Sequence, residues 1–194
     1  MTQTQALPPA QRLVLLRFVY RRVRAALALI GLFALVYALG FNADQIVSPS
    51  MSPTLQGNSS SDGDWVISEK ISYWFRNPHR WEVVRFVNDD GILVMKRVGG
   101  LPGETIGVDD IGRVVINGKP LDFPQSLSFL HYYPFGPHLH DGKQAQCGQG
   151  YFVFGDDSKD SQDSRYDGPI AGSRLKSRAW IRVWPWARVG WVNP

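Results

Sequence analysis

The chain has 194 residues, a formal charge of +4 from 21 basic and 17 acidic side chains, and one cysteine, Cys147. That length holds one domain with a real core and a short appendage, and little more. A lone cysteine excludes an internal disulfide framework, so the fold must rest on its core.

The first 24 residues form a basic segment with Arg12, Arg17, Arg21, Arg22 and Arg24. Residues 25–41 carry no charge and lie at the short end of the roughly 17–25 residues that span a bilayer. We read them as a single transmembrane anchor. Arginines stay on the cytoplasmic side, which places the N-terminus inside and residues 42–194 outside. A cleavable export signal, with Val36-Tyr37-Ala38 as its processing site, is the alternative, and it exports the same residues.

Beyond Phe41 the pattern is mostly that of strands. Trp65–Ile67, Glu82–Val87, Ile92–Val98, Arg113–Ile116 and Tyr151–Phe154 are short and rich in β-branched or aromatic residues, with turn residues between them. Asn117-Gly118 predicts a type I′ hairpin joining Val114–Ile116 to Lys119–Leu121. Helix is possible near Lys70–Phe75. Residues 122–149 hold Gly, Pro and His without a period and read as a cap-like insertion rather than core. The second basic cluster, Arg174, Lys176, Arg178, Arg182 and Arg188, alternates with Trp180, Trp184 and other apolar residues. In an exported domain nucleic acid is not its partner, which leaves a strand edge or a surface on anionic lipid. The fold class is therefore mainly β: an all-β exported domain, residues 42–194, after one membrane helix.

Ser50 follows the anchor by nine residues, in Ser48-Pro49-Ser50-Met51-Ser52-Pro53-Thr54-Leu55. A serine nucleophile needs a base. His79, His131, His138 and His140 all lie in irregular segments, and His138-x-His140 finds no third metal ligand at a useful spacing. The other solution is a lysine held neutral by burial. Lys96 lies in the most apolar strand, and alternation puts it on one face with Ile92, Val94 and Val98, opposite Leu93, Met95 and Arg97. A lysine that guards an edge strand would look the same.

Three segments together carry a resemblance. Ser48–Leu55 resembles the nucleophile box of type I signal peptidases, Ser-x-Ser-Met-x-Pro-Thr-Leu. Met95-Lys96-Arg97-Val98-Gly99-Gly100-Leu101-Pro102-Gly103-Glu104 resembles their lysine box. Gly155-Asp156-Asp157-Ser158-Lys159-Asp160-Ser161-Gln162-Asp163-Ser164-Arg165 resembles their Gly-Asp-Asn-x-x-x-Ser-x-Asp-Ser-Arg box. The order of the boxes and the preceding anchor match as well.

The resemblance implies a membrane-anchored Ser-Lys endopeptidase that removes signal peptides from exported preproteins at Ala-x-Ala-like sites, with no cofactor or metal. Position by position, it makes Ser50 the nucleophile and Lys96 the general base. Ser48 would join the Ser50 amide in the oxyanion hole, Ser161 would orient the lysine, and Asp163 with Arg165 would brace the site. Met51 and Val94 would line shallow apolar substrate pockets. A monomer in the bacterial inner membrane follows, with preproteins and the bilayer as partners. Trp180, Trp184, Trp186 and Trp191 would either rest on that bilayer or cap the β core. Several positions depart from the family pattern: Asp157 replaces Asn, Val94 replaces a common aromatic, and Trp81-Glu82 replaces Gly-Asp. These departures leave room for a specialised paralogue. A self-cleaving Ser-Lys protease and a non-enzymatic anchored β domain are the other readings.

Overall fold

The computed structural model describes residues 8–58 and 62–192. It opens with helix α1 (Pro9–Gly40), which starts well before the uncharged stretch and carries all five N-terminal arginines. Its 32 residues span about 48 Å at 1.5 Å per residue, and from Gln11 to Gly40 it is long and apolar enough to cross a membrane. Leu27, Ile30 and Phe33 are exposed on it, an arrangement suited to hydrocarbon rather than water. Phe41, the end of the uncharged stretch, is already the first residue of strand β1 (Phe41–Gln45).

The remaining chain, residues 41–194, is a separate unit built from antiparallel strands. After β1 come β2 (Trp65–Glu69), β3 (Val83–Val87), β4 (Leu93–Gly100), β5 (Thr105–Val108), β6 (Val114–Ile116) and β7 (Lys119–Leu121). The one-turn helix α2 (Gly136–Leu139) precedes β8 (Ala145–Gln146) and β9 (Gly150–Phe154). The one-turn helix α3 (Ser164–Asp167), then β10 (Ile170–Ala171), β11 (Leu175–Trp184) and β12 (Gly190–Trp191), complete the order. The larger sheet runs β1-β2-β11-β3-β4-β9-β10, with β12 beside β11; the smaller runs β7-β6-β5-β8. Asn117 and Gly118 both have positive φ, 51° and 79°, and join Ile116 to its partner Lys119 as the type I′ reading requires. The segment near Lys70–Phe75 is a short 3-10 turn, Ile71–Trp74.

Strand β11 lies between β2 and β3 in the middle of the larger sheet, and two of its pairings shift register. Its alternation of Arg and Trp is explained by ion pairs rather than by a free basic face. Arg178 meets Glu69 and Glu82, Arg182 and Arg188 flank the buried Asp64, and Arg174 reaches Asp89. Trp180 is half-buried between Phe41 and Trp191, whereas Trp184, Trp186 and Trp191 are exposed.

The stretch 122–149 is not laid over the core but belongs to it. Leu127, Leu130, Tyr132, Leu139, Ala145 and Cys147 are buried in one cluster with Ile106, Val108, Phe152 and Phe154. Apolar residues at irregular spacing can fill a core without any periodic signal, since packing needs only volume and complementarity. Trp81 is buried in the same cluster, with its ring on Phe123, at φ 72°. That backbone conformation is uncommon for a bulky residue.

Candidate active site

Ser50 sits in a 3-10 turn, Pro49–Met51. Pro49 fits the start of that turn because its fixed φ suits it and its missing N–H is not needed there. Met51 and Leu55 are buried among Val66, Val83 and Met95, so the stretch that follows Ser50 is fastened to the core. Ser48 precedes the turn in extended conformation, and its side chain makes no capping hydrogen bond. The hydroxyl instead lies 3.1 Å from Ser50 Oγ.

Lys96 reaches the same hydroxyl from β4. Its Nζ donates to Ser50 Oγ at 2.6 Å, and only 5% of the residue is exposed. Burial holds its pKa below the ordinary lysine value. Asp163 and Asp156 pull it upward, and Arg165 pushes it further down. Among the described residues Lys96 has no ion-pair partner within 4 Å. Asp163, the strongest acidic influence, is committed elsewhere. It accepts from Arg165 Nε and Nη2, each at 2.8 Å, from Gly155 N at 2.8 Å and from Ser161 Oγ at 2.9 Å. Arg165 is fully buried and is held by Ser158 Oγ at 2.6 Å and the carbonyls of Ser158 and Tyr133.

Ser161 thus differs from its expected place. Its hydroxyl is turned to Asp163 rather than to Lys96. Asp157, the departure from Asn, touches the site through its backbone: its N–H donates to the Ser50 carbonyl at 3.1 Å. Either side chain leaves that main-chain bond in place. Gly155 allows the close approach, since a Cβ there would lie 2.1 Å from Ser161 Oγ and 2.5 Å from the Ser50 carbonyl oxygen.

A second buried cation went unassigned in the sequence. Arg97, on the opposite face of β4, pairs with Asp156 through Nε at 2.7 Å and Nη2 at 2.6 Å and donates to the Trp81 carbonyl at 2.7 Å. Thr54 bonds the same carboxylate and accepts from Arg97 at 3.1 Å. The network ties the segment after Ser50, through Thr54, to the loop that carries Asp157. An arginine inside an apolar strand, with an acidic loop elsewhere in the chain, was the available signal.

Two cavities of about 250 and 270 Å³ flank Ser50 and Lys96, and Val94 lines both. Met51 lines the first, with Ile46, Leu93 and Met95. None of the four histidines lines either cavity. Beside the first, β4 offers an open edge: Leu93–Val94–Met95–Lys96 pair with β3, while pairing with β9 begins at Arg97. The first cavity is lined by this edge and by the segment Asp44–Ser48 that leads to Ser50.

Comparison with known proteins decides the family. The model of the family described as signal peptidase, peptidase S26, matches residues 19–184. The chain belongs to the signal peptidase family, peptidase S26. It is similar to a probable signal peptidase I-2 of Synechocystis sp., at 37% identity over 81% of this chain and 72% of that one. It is also similar to a signal peptidase I of Leptolyngbya laminosa, at 35% identity over 85% and 81%. A signal peptidase I V of Bacillus subtilis is 36% identical over 62% and 73%. Like them, this signal peptidase is a serine endopeptidase of the type I class.

Proposed function

We propose that this signal peptidase cleaves membrane-bound preproteins with Ser50 as nucleophile and Lys96 as general base. The observation that carries the reading is the 2.6 Å contact between Lys96 Nζ and Ser50 Oγ, made by a buried amine with no acidic partner of its own. An unpaired amine out of water favours its neutral form, and a neutral amine has a lone pair for the serine proton.

The substrate segment before the scissile bond adds as a strand to the open edge Leu93–Lys96. Its inward side chains enter the first cavity, against Met51 and Val94, where limited volume selects small residues. Neutral Lys96 takes the Ser50 proton as Oγ attacks the carbonyl carbon. The resulting oxyanion is stabilised by the Ser48 hydroxyl and the Ser50 amide, and donors so aimed contribute about 3–4 kcal/mol. The lysine then protonates the leaving amine and releases the mature protein. Water, activated by the same lysine, hydrolyses the acyl-enzyme. Asp163, bonded to Arg165 and Ser161, braces the lysine's side of the site.

Helix α1 anchors the enzyme with its arginines in the cytoplasm and the β domain outside the bacterial inner membrane. The exposed Trp184, Trp186 and Trp191 are suited to a membrane interface. The protein works as a monomer on preproteins and the bilayer, without a cofactor. The test is incubation of detergent-solubilised full-length chain with a preprotein, followed by N-terminal sequencing of the product. Cleavage after a small residue, lost in Ser50→Ala and in Lys96→Ala, is the expected result. Cleavage by either variant would remove the dyad. External protease digestion of spheroplasts should degrade the β domain; its protection would reverse the topology.

A further inference from the structure

Trp81 stands where the family pattern has glycine, and its backbone takes a conformation that suits glycine. Among the described residues only Trp81 and Asn117 have positive φ without being glycine, at 72° and 51°. Asn117 belongs to a type I′ turn, which requires it. Trp81 lies at a β-bulge. Its N–H donates to the Val98 carbonyl at 2.8 Å, and the Val98 N–H donates to the Glu82 carbonyl at 2.9 Å, so two residues entering β3 face one of β4. Regular pairing begins at Val83, opposite Arg97. The first residue of such a bulge is ordinarily a left-handed glycine. A bulky side chain in that conformation is strained, and strain persists only where the surroundings over-determine it.

Two contacts hold Trp81. Its buried ring lies on Phe123, with centroids 5.1 Å apart. From there the rings run on: Phe123 meets Tyr132 at 5.8 Å, and Tyr132 stacks on Phe154 at 4.4 Å. Phe154, on β9, is the residue paired with Arg97 from the other side of β4. The second contact is the Trp81 carbonyl, which accepts from Arg97 Nη1 at 2.7 Å. Arg97 thus has the bulge on one flank and Phe154 on the other, and Phe123 with Tyr132 bridges the two. Beyond Arg97 the path is short. Arg97 holds Asp156, and the next residue, Asp157, donates its N–H to the Ser50 carbonyl. Pairing of β4 with β9 shifts register between Val98 and Gly100, so β4 is irregular on both sides just past Lys96 and Arg97. Bulges beside active sites serve to aim side chains.

We propose that Trp81 is a positioning residue that couples the stretch 122–149 to the catalytic strand. This rests on the Ser50–Lys96 reading above. The ring, clamped by Phe123, holds the bulge in its strained form. The bulge presents a carbonyl to Arg97, and Arg97 with Asp156 fixes Lys96 and Ser50 relative to each other. A glycine would adopt the bulge without strain but would leave the space beside Phe123 empty, and the catalytic strand would then be free of residues 122–149. Trp81, Phe123, Arg97 and Asp156 line neither cavity beside Ser50, so the coupling acts on the alignment of Oγ with Nζ rather than on substrate binding.

The experiment compares full-length wild type, Trp81→Gly, Trp81→Phe and Phe123→Ala in detergent on one preprotein. Each is assayed well below its unfolding temperature, with its fold checked by circular dichroism. Trp81→Gly and Phe123→Ala should each lower kcat about 10–100-fold with little change in KM, the loss that misplaced reacting groups produce. Trp81→Phe, which keeps an aromatic ring against Phe123, should retain most of kcat. A wild-type kcat in Trp81→Gly overturns the proposal, because the ring is then packing alone. A loss carried by KM overturns it too, as does a Trp81→Phe variant as slow as the glycine one. If Trp81→Gly does not fold, Phe123→Ala decides the matter by the same criteria, since it leaves residue 81 as it is. Cleavage by Lys96→Ala, run alongside, would overturn the catalytic reading and this proposal with it.

Discussion

Lys96 and Arg97 are neighbours on β4, both buried cations, and they are held in opposite ways. Arg97 faces Asp156 and spends its guanidinium on a carboxylate, a hydroxyl and a carbonyl. Lys96 faces the other way, toward Val94, Val153 and Ser50 in the second cavity, and its one hydrogen bond goes to a serine hydroxyl. One burial is compensated and makes scaffold. The other is not, which suits the base proposed above. A strand delivers both because alternation sends consecutive side chains to opposite faces.

The largest effect that would break this contrast is catalytic. Ser50→Ala and Lys96→Ala should each lower cleavage by about 10⁴-fold or more, with unchanged circular dichroism. Lys96→Arg should not rescue, because a guanidinium stays protonated. Next comes stability on the other face. Arg97→Met should cost about 3–5 kcal/mol in chemical denaturation, since it leaves Asp156 buried without its ion partner; adding Asp156→Leu should recover most of that loss. A loss under about 1 kcal/mol in the single variant would mean that Arg97 is not structural.

A smaller effect sharpens the site itself. Ser48→Ala should lower kcat by about 10²-fold with little change in KM, the signature of a contact made in the transition state. The smallest effect concerns the energetic cost of Lys96. Lys96→Met should be as stable as the wild type or more so at neutral pH. The sign follows from linkage: between the depressed folded pKa and the ordinary lysine value of 10.5 the unfolded chain holds more protons at this position than the folded one. Wild-type stability relative to Lys96→Met should therefore rise with pH up to about 10.5. A fall over that range would mean that the folded lysine is stabilised as a cation.

The sequence showed much of this through local patterns and little through tertiary ones. Lys96 stood out because an apolar strand interior is a costly place for an amine, and the Asn117-Gly118 turn because few residue pairs accept two positive φ values. Strand β11 was missed as a central strand, since its arginines look like surface until Glu69, Glu82 and Asp64 are brought beside them. The core role of residues 122–149 was hidden for a related reason: Leu127, Tyr132 and Leu139 are buried by fit and follow no repeat. Ser161 was placed one contact too close to the lysine, because a chain of bonds through Asp163 leaves no trace in spacing.

The claim that an unpaired lysine is the base is tested most directly by the pH dependence of kcat/KM, which reports the free enzyme's essential groups. The measurement compares the wild type with a variant in which His79, His131, His138 and His140 are all replaced by glutamine. Both should lose activity toward acid pH along the same limb, set by a lysine pKa depressed through burial. Disappearance of that limb in the histidine-free enzyme, with Lys96 intact, would contradict the account.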